Sequence, residues 1–305
     1  GTIKLDGSYP TGTDNTALGD TALDSVQAGG VSNTVIGHNA GTAITTGDGN
    51  TVVGDLALDA SSTSSDNTAI GRCALTTSTA SNNTAVGAYS LRDNTTGSNN
   101  VAFGISALKE NTEGDNNTSI GNSSLCNNTT ADNNTALGNS AMKLNTTGAS
   151  NTAVGKDALY ANTTANNNTA IGVCAMIATT TGANNTAVGF SALDTNTTGC
   201  ENVAVGRDTL FSNTSGERNV ALGYRALCAN TSGDFNIAVG RQSLFGNTTG
   251  ERNSVLGLNA MYTNTTGGCN VAIGGNALYS NTTAANNTAV GACSLEANTT
   301  GCQNV

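Results

Sequence analysis

A five-residue unit, Asn185-Thr186-Ala187-Val188-Gly189, returns with small variations at a fixed interval through most of the chain. Its glycine falls at Gly87, Gly104, Gly121, Gly138, Gly155, Gly172, Gly189, Gly206, Gly223, Gly240, Gly257, Gly274 and Gly291, each step being 17 residues. Earlier copies at Gly19, Gly37, Gly54 and Gly71 are spaced by 18, 17 and 17, with 16 more to Gly87. A short period repeated this often leaves little freedom. One small supersecondary unit must be stacked on copies of itself, whatever domain count 305 residues would otherwise suggest.

Numbered from its asparagine, the unit reads Asn, Thr, Ala, Val, Gly, two variable residues, Ala, Leu, two variable residues, Asn, Thr, Thr, Gly and two variable residues. Slot four is always a sizeable apolar residue, such as Val86, Phe103, Ile120 or Leu137, whereas slot three is small and nearly always alanine. The period of two along a strand sets slots two and four on one face. Their bulk assigns that face to the core and leaves slot three outside. Slot nine, as at Leu91, Leu108, Met142 and Met176, then supplies the opposite apolar wall. A helix is excluded because each apolar cluster is short, rich in β-branched residues and followed by turn chemistry. The fold expected is all-β: a parallel β-roll solenoid of 17-residue coils with two short strands per coil. At about 4.8 Å per coil it would form a rod on the order of 80 Å long.

Three segments are expected: residues 1–14 as a lead-in or cap broken by Pro10, residues 15–82 as irregular coils, and residues 83–305 as regular repeats. Asn304-Val305 opens another unit, so the chain is expected to continue into a longer protein. The glycine of slot five recurs in every unit, which implies positive φ or a close approach that a Cβ would block. At slot fifteen Ala131, Ala165 and Ala284 replace the usual glycine, so ordinary negative φ is expected there. The slot-one asparagines are Asn83, Asn100, Asn117, Asn134, Asn151, Asn168, Asn185, Asn202, Asn219, Asn236, Asn253, Asn270 and Asn287. They are expected to stack their amides as a structural ladder, with glycosylation as the competing reading.

Two of the units, Asn202-Val203-Ala204-Val205-Gly206 and Asn270-Val271-Ala272-Ile273-Gly274, resemble the core of the head repeats of YadA-like trimeric autotransporter adhesins. The full unit is also similar to repeats in long tail fibres of marine bacteriophages. The opening Gly1-Thr2-Ile3-Lys4-Leu5-Asp6-Gly7 with Tyr9-Pro10 resembles the lead-in to such repeats. The resemblance covers about Asn15 to Val305 and implies a β-roll whose chains associate in threes outside the cell. The unit here is longer than the adhesin repeat by its Asn-Thr-Thr-Gly segment. Small residues at slots three and eight, read as outward-facing, give the homotrimer or higher filament a physical motive, since alanine permits close packing between chains.

Charge and composition narrow the partners. A net charge of -10 argues against nucleic acid and against anionic membranes. No apolar run approaches the roughly 20 residues that span a bilayer. His38 is the only histidine, so a histidine-based triad would rest on one residue in an irregular coil. Glu113, Asp157, Asp208, Glu217 and Glu251 occupy variable slots and do not form a calcium-ligand set. No catalytic, cofactor or metal site is expected. Of the eight cysteines, Cys73, Cys174 and Cys293 share slot seven and Cys126 and Cys228 share slot ten, but no sharing pair is in consecutive coils. Free thiols are therefore expected, with interchain bridges or a Cys293–Cys302 pair as the alternative.

Slot ten lines up Tyr160, Phe211, Phe245, Tyr262 and Tyr279 as a candidate surface contact row, either for the sugar rings of a cell-surface glycan or for a neighbouring chain. Asn-Thr-Thr recurs at Asn94, Asn145, Asn162, Asn196, Asn247, Asn264, Asn281 and Asn298 and is formally a glycosylation acceptor. The function expected is a non-enzymatic extracellular fibre, foremost a bacteriophage tail fibre shaft that supports host attachment. A bacterial cell-surface adhesin or secreted matrix filament is the alternative. A third reading, an ice-binding solenoid, would use the threonines of slots thirteen and fourteen.

Overall fold

The computed structural model describes residues 14–305. The lead-in expected over residues 1–14 lies, apart from Asp14, outside the described residues. The chain divides into two units, Gly1–Ser150 and Asn151–Val305. Each is a parallel β-solenoid, with no helix among the described residues. The first carries β1 (Thr16–Leu18) to β8 (Thr135–Leu137) and the second β9 (Thr152–Val154) to β17 (Thr288–Val290), every strand being three residues long. Neighbouring coils pair slot for slot, as where Thr186, Ala187 and Val188 lie opposite Val203, Ala204 and Val205.

The inward face of the strand is the reverse of the one bulk suggests. Slot three is buried throughout, whereas slots two and four stand half-buried or exposed, with Phe103 at 55% and Leu256 at 50% exposure. The cause is the thinness of the coil. Slots three and eight meet across it, as shown where both are serine: the Ser119 hydroxyl donates to the Ser124 carbonyl at 2.8 Å, and the two hydroxyls are 2.5 Å apart. A space that narrow takes alanine or serine from both walls, and valine or threonine from one wall only opposite alanine, as Val255 opposite Ala260 and Thr209 opposite Ala204, so the larger side chains of slot four go outside. The interior of a regular coil is therefore built from Asn at slot one, Ala at slots three and eight, Leu or Met at slot nine, Asn at slot twelve and Gly or Ala at slot fifteen.

A second strand per coil is also absent among the described residues. Slots eight and nine are buried side by side, which the alternation of a strand forbids. The chain achieves it by entering the left-handed region at slots seven and nine, as at Ser191 (φ 49) and Leu193 (φ 55), and again at slot seventeen, as at Asn184 (φ 60). This wall still bonds coil to coil: Ser191 N donates back to Val173 O at 3.1 Å and Leu193 N forward to Thr209 O at 2.9 Å.

Length variation is confined to one corner. The coil from Asn15 is a residue longer and the coil from Asn67 a residue shorter than the rest, yet in both the slot-one amide still reaches a slot-fifteen carbonyl, of Gly30 and Ala80 respectively. The change therefore falls at the exposed turn of slots thirteen and fourteen. The coil from Asn33 shows a second kind of adjustment. Gly41 stands where leucine is usual, and Ile44 at slot twelve fills the room, its Cδ1 within 2.9 Å of where a Gly41 Cβ would sit.

Candidate functional site

The invariant residues of the repeat turn inward. Asn185 shows the arrangement: its backbone N–H donates to Asn168 Oδ1 (2.9 Å), its side-chain nitrogen to Gly199 O (2.9 Å), and its Oδ1 accepts the backbone N–H of Asn202 (2.9 Å). The same pattern repeats along the slot-one asparagines, for example from Asn83 to Asn100 and from Asn270 to Asn287. The slot-five glycines have φ near +140, with Gly189 at +142, and a Cβ there would lie 2.5 Å from the carbonyl oxygen of Gly206 in the next coil. Both a side chain's conformational preference and its volume exclude anything else. At slot fifteen φ is not positive, and Ala131, Ala165 and Ala284 are accommodated there buried.

Sequence reasoning missed a second ladder. The slot-twelve asparagines, assigned above to turns and to formal glycosylation acceptors, are buried from Asn94 to Asn281. Asn213 Nδ2 donates to Asn196 Oδ1 and to Gly216 O, both at 2.9 Å. The slot-fifteen carbonyl thus takes one amide from each ladder, as Gly199 O does from Asn185 and Asn196. The side-chain nitrogen a glycan would need is committed inside the fold. The signal that could have revealed this was the spacing itself, since from Asn94 onward slot twelve keeps asparagine at the same 17-residue interval as slot one, broken once by Thr179.

The proposed aromatic row comes together only in part. Phe245, Tyr262 and Tyr279 stack at 4.9 and 5.3 Å with nearly parallel rings, so their faces are occupied by one another. Buried Cys228 separates Phe211 from them, and Ile177 and Asp194 separate Phe211 from Tyr160. The slot-thirteen hydroxyls donate to the next coil's carbonyl, as from Thr214 to Thr231 O at 3.0 Å, which leaves slot fourteen as the free rank. His38 pairs with Asp55 of the next coil at 2.8 Å.

What faces outward is a row of apolar side chains at slot four, beside a slot-two row that is mostly threonine. Slots two and four present Val, Ile, Leu, Phe and Thr in coil after coil of each unit, exposing Ile70, Val101, Phe103 and Leu137 in the first and Leu222, Ile237, Leu256 and Ile273 in the second. Slot six adds Ile105, Val173, Phe190 and Leu258. Burial of such residues is the ordinary rule, and a patch beyond a few hundred Å² marks an interaction surface. The alanines of slots three and eight are interior, so the packing motive for association passes from them to this face.

The cysteines are unbridged. Burial pushes the Cys126 and Cys228 thiols above their ordinary value, which disfavours the reactive thiolate. Among the described residues no three His, Cys, Asp or Glu side chains cluster as metal ligands, and no helix is long and apolar enough to cross a membrane. Comparison with protein-family models finds no match for the chain, and comparison with curated proteins finds none.

Proposed function

We propose that the chain is the shaft of a non-enzymatic extracellular fibre, foremost a bacteriophage tail fibre that supports host attachment, with copies of the chain associating along the outward strand face. A bacterial surface adhesin or secreted matrix filament would use the same shaft from another source. The observation that carries this reading is the row of outward apolar side chains at slot four, repeated in every strand of each unit. Its interior counterpart supports the same role, because the conserved polar groups of the repeat are consumed by ladders between coils and present no chemistry to solvent. Such a design gives extent and a repeated lateral surface, which is what a structural element requires.

Two measurements test the proposal together. Sedimentation of the full chain is expected to give a multiple of the chain mass, and electron microscopy of the native source is expected to show it in thin fibres on a virion or cell envelope. A monomer at all concentrations would remove the association, and a soluble particle without fibres would remove the shaft.

A further inference from the structure

Burial separates the recurring glycosylation triplets of the repeat into two sets. The Asn-Thr-Thr triplets begin at slot twelve, where the amide is buried and bonded. The other set begins at slot seventeen. Asn82, Asn116, Asn133, Asn167, Asn184 and Asn286 are each followed by the slot-one asparagine and slot-two threonine of the next coil, giving Asn-Asn-Thr. All six are exposed. They sit in the left-handed turn before the strand, with φ between 58 and 63, a conformation asparagine adopts more readily than most residues.

The fold also arranges the triplet. Its middle residue, as at Asn185, is held inside by the slot-one ladder, and the residues on either side of it reach the surface. Asn184 is exposed and Thr186 half-buried, while Asn133 and Thr135 are both exposed. Asn184 Oδ1 accepts a hydrogen bond from Asn167 Nδ2 at 3.2 Å, which leaves its own nitrogen to solvent. Asn196, in the same coil as Asn184, is the opposite case: its Nδ2 donates to the Gly199 carbonyl at 2.9 Å inside the fold.

We propose that the slot-seventeen asparagines of Asn-Asn-Thr are N-glycosylation sites, modified on the folded chain. The acceptor is defined by an asparagine amide and a hydroxyl two residues on, and a transferase approaching the solenoid meets both at its surface. Transfer joins Asn Nδ2 to the anomeric carbon of a sugar diphosphate donor. The bond from that carbon to the phosphate oxygen breaks, the diphosphate leaves with the bonding pair, and one amide proton passes to a base of the transferase. A nucleoside diphosphate hexose leaves a single sugar, and a lipid diphosphate oligosaccharide leaves a preassembled chain. The assignment goes beyond the fibre reading and does not depend on it.

In the second unit the acceptors stop where the strand face is most apolar. Slot seventeen holds Glu201, Arg218, Phe235, Arg252 and Cys269 ahead of β12 (Val203–Val205) to β16 (Val271–Ile273), and slot two there is valine, isoleucine or serine in place of threonine. Sugars at Asn167, Asn184 and Asn286 border that stretch and leave it bare for a neighbouring chain. Asn99 is a control built into the first unit. It has the exposure and the left-handed turn (φ 59) of the acceptors, but Val101 stands two residues on.

Peptide mapping by mass spectrometry tests the assignment on the chain isolated from its native source and on variants expressed in that source. Asn184 is expected to carry a hexose or a longer glycan, and Asn196 none. Thr186→Val is expected to abolish the modification at Asn184, and Val101→Thr to create one at Asn99. Valine and threonine both occupy slot two in the natural coils, so circular dichroism of the variants is expected to match the parent. The size of the glycan distinguishes the two donors. A chain bare at all six asparagines would overturn the proposal. Sugar at Asn196 as often as at Asn184 would do the same, because the fold would then not select the site, and so would modification of Asn184 that survives Thr186→Val. None of these results bears on the fibre, which sedimentation and microscopy decide separately.

Discussion

At the scale of the residue, the interior of the solenoid is unusually polar and still satisfied. Buried amides are costly only when unpartnered, and the two asparagine ladders give each amide a partner in a neighbouring coil or at the slot-fifteen carbonyl. The exception is instructive. Thr179 occupies slot twelve, and its buried hydroxyl has no hydrogen-bond partner. Thr179→Asn should restore the missing rung and raise unfolding free energy by about 1 kcal/mol, measured by thermal or denaturant unfolding. The serine pair offers a cycle. Ser124→Ala alone should cost no more than about 1 kcal/mol, because the Ser119 hydroxyl keeps its bond to the residue-124 carbonyl, and Ser119→Ala with Ser124→Ala should lie close to the parent, since alanine fills both slots elsewhere. Asp194 tests electrostatics. Burial raises its carboxyl pKa, with Asp208 adding to the shift and the Ser191 hydroxyl opposing it. The folded chain therefore disfavours the charged form, and that penalty is fully present above the raised value and fades as pH falls through it towards the unfolded value. Asp194→Asn should stabilise the chain at neutral pH, with the gain closing as the melting experiment is taken into the acid range.

At the scale of the coil, the period made the all-β stacked architecture legible, because an interval of 17 residues with β-branched runs and turn residues admits little else. The choice of strand face was not legible. Bulk at slot four points to a core, and only the distance across the coil, seen at Ser119 and Ser124, reveals that no room exists for it. The second wall was hidden for a different reason. Leu193 and Ser191 are not residues that advertise positive φ, and their conformation is imposed by the need to bury two neighbours at once. The second ladder lay behind Asn-Thr-Thr, whose local chemistry is that of a turn whether or not the asparagine points inside. The corner at slots thirteen and fourteen is where the natural coils gain or lose a residue. A Gly-Ser insertion between Thr197 and Thr198 should therefore leave the circular dichroism unchanged and cost about 1 kcal/mol or less. The same insertion between Ala187 and Val188 should abolish cooperative unfolding of the second unit, because it puts the inserted serine in slot five, where φ is positive and a Cβ would lie 2.5 Å from the Gly206 carbonyl oxygen.

At the scale of the whole molecule, stability accumulates from coils and their interfaces and not from a central core. Removing one complete coil, residues 185–201, should leave the remaining coils in register and lower the denaturant dependence of unfolding in proportion to the surface lost. A deletion of comparable length out of phase with the repeat should not fold. The outward face follows a different logic: slot four is kept apolar in every coil and slot two holds threonine, serine, valine or isoleucine, while slots six and seventeen vary from coil to coil. That division lets one interior serve any pattern of edge contacts.

The bonds that join one coil to the next, such as Leu193 N to Thr209 O, lie along the direction in which the coils are stacked. A pull on the two ends of either unit would load the interfaces one after another, so a terminal coil would peel away before its neighbours felt the strain. Each coil released frees 17 residues, roughly 55 Å of extended chain, in exchange for about 4.8 Å of stacked length. A tether built this way would yield in steps and lengthen many times over before parting, dissipating a shear load that a brittle rod would transmit to its anchor.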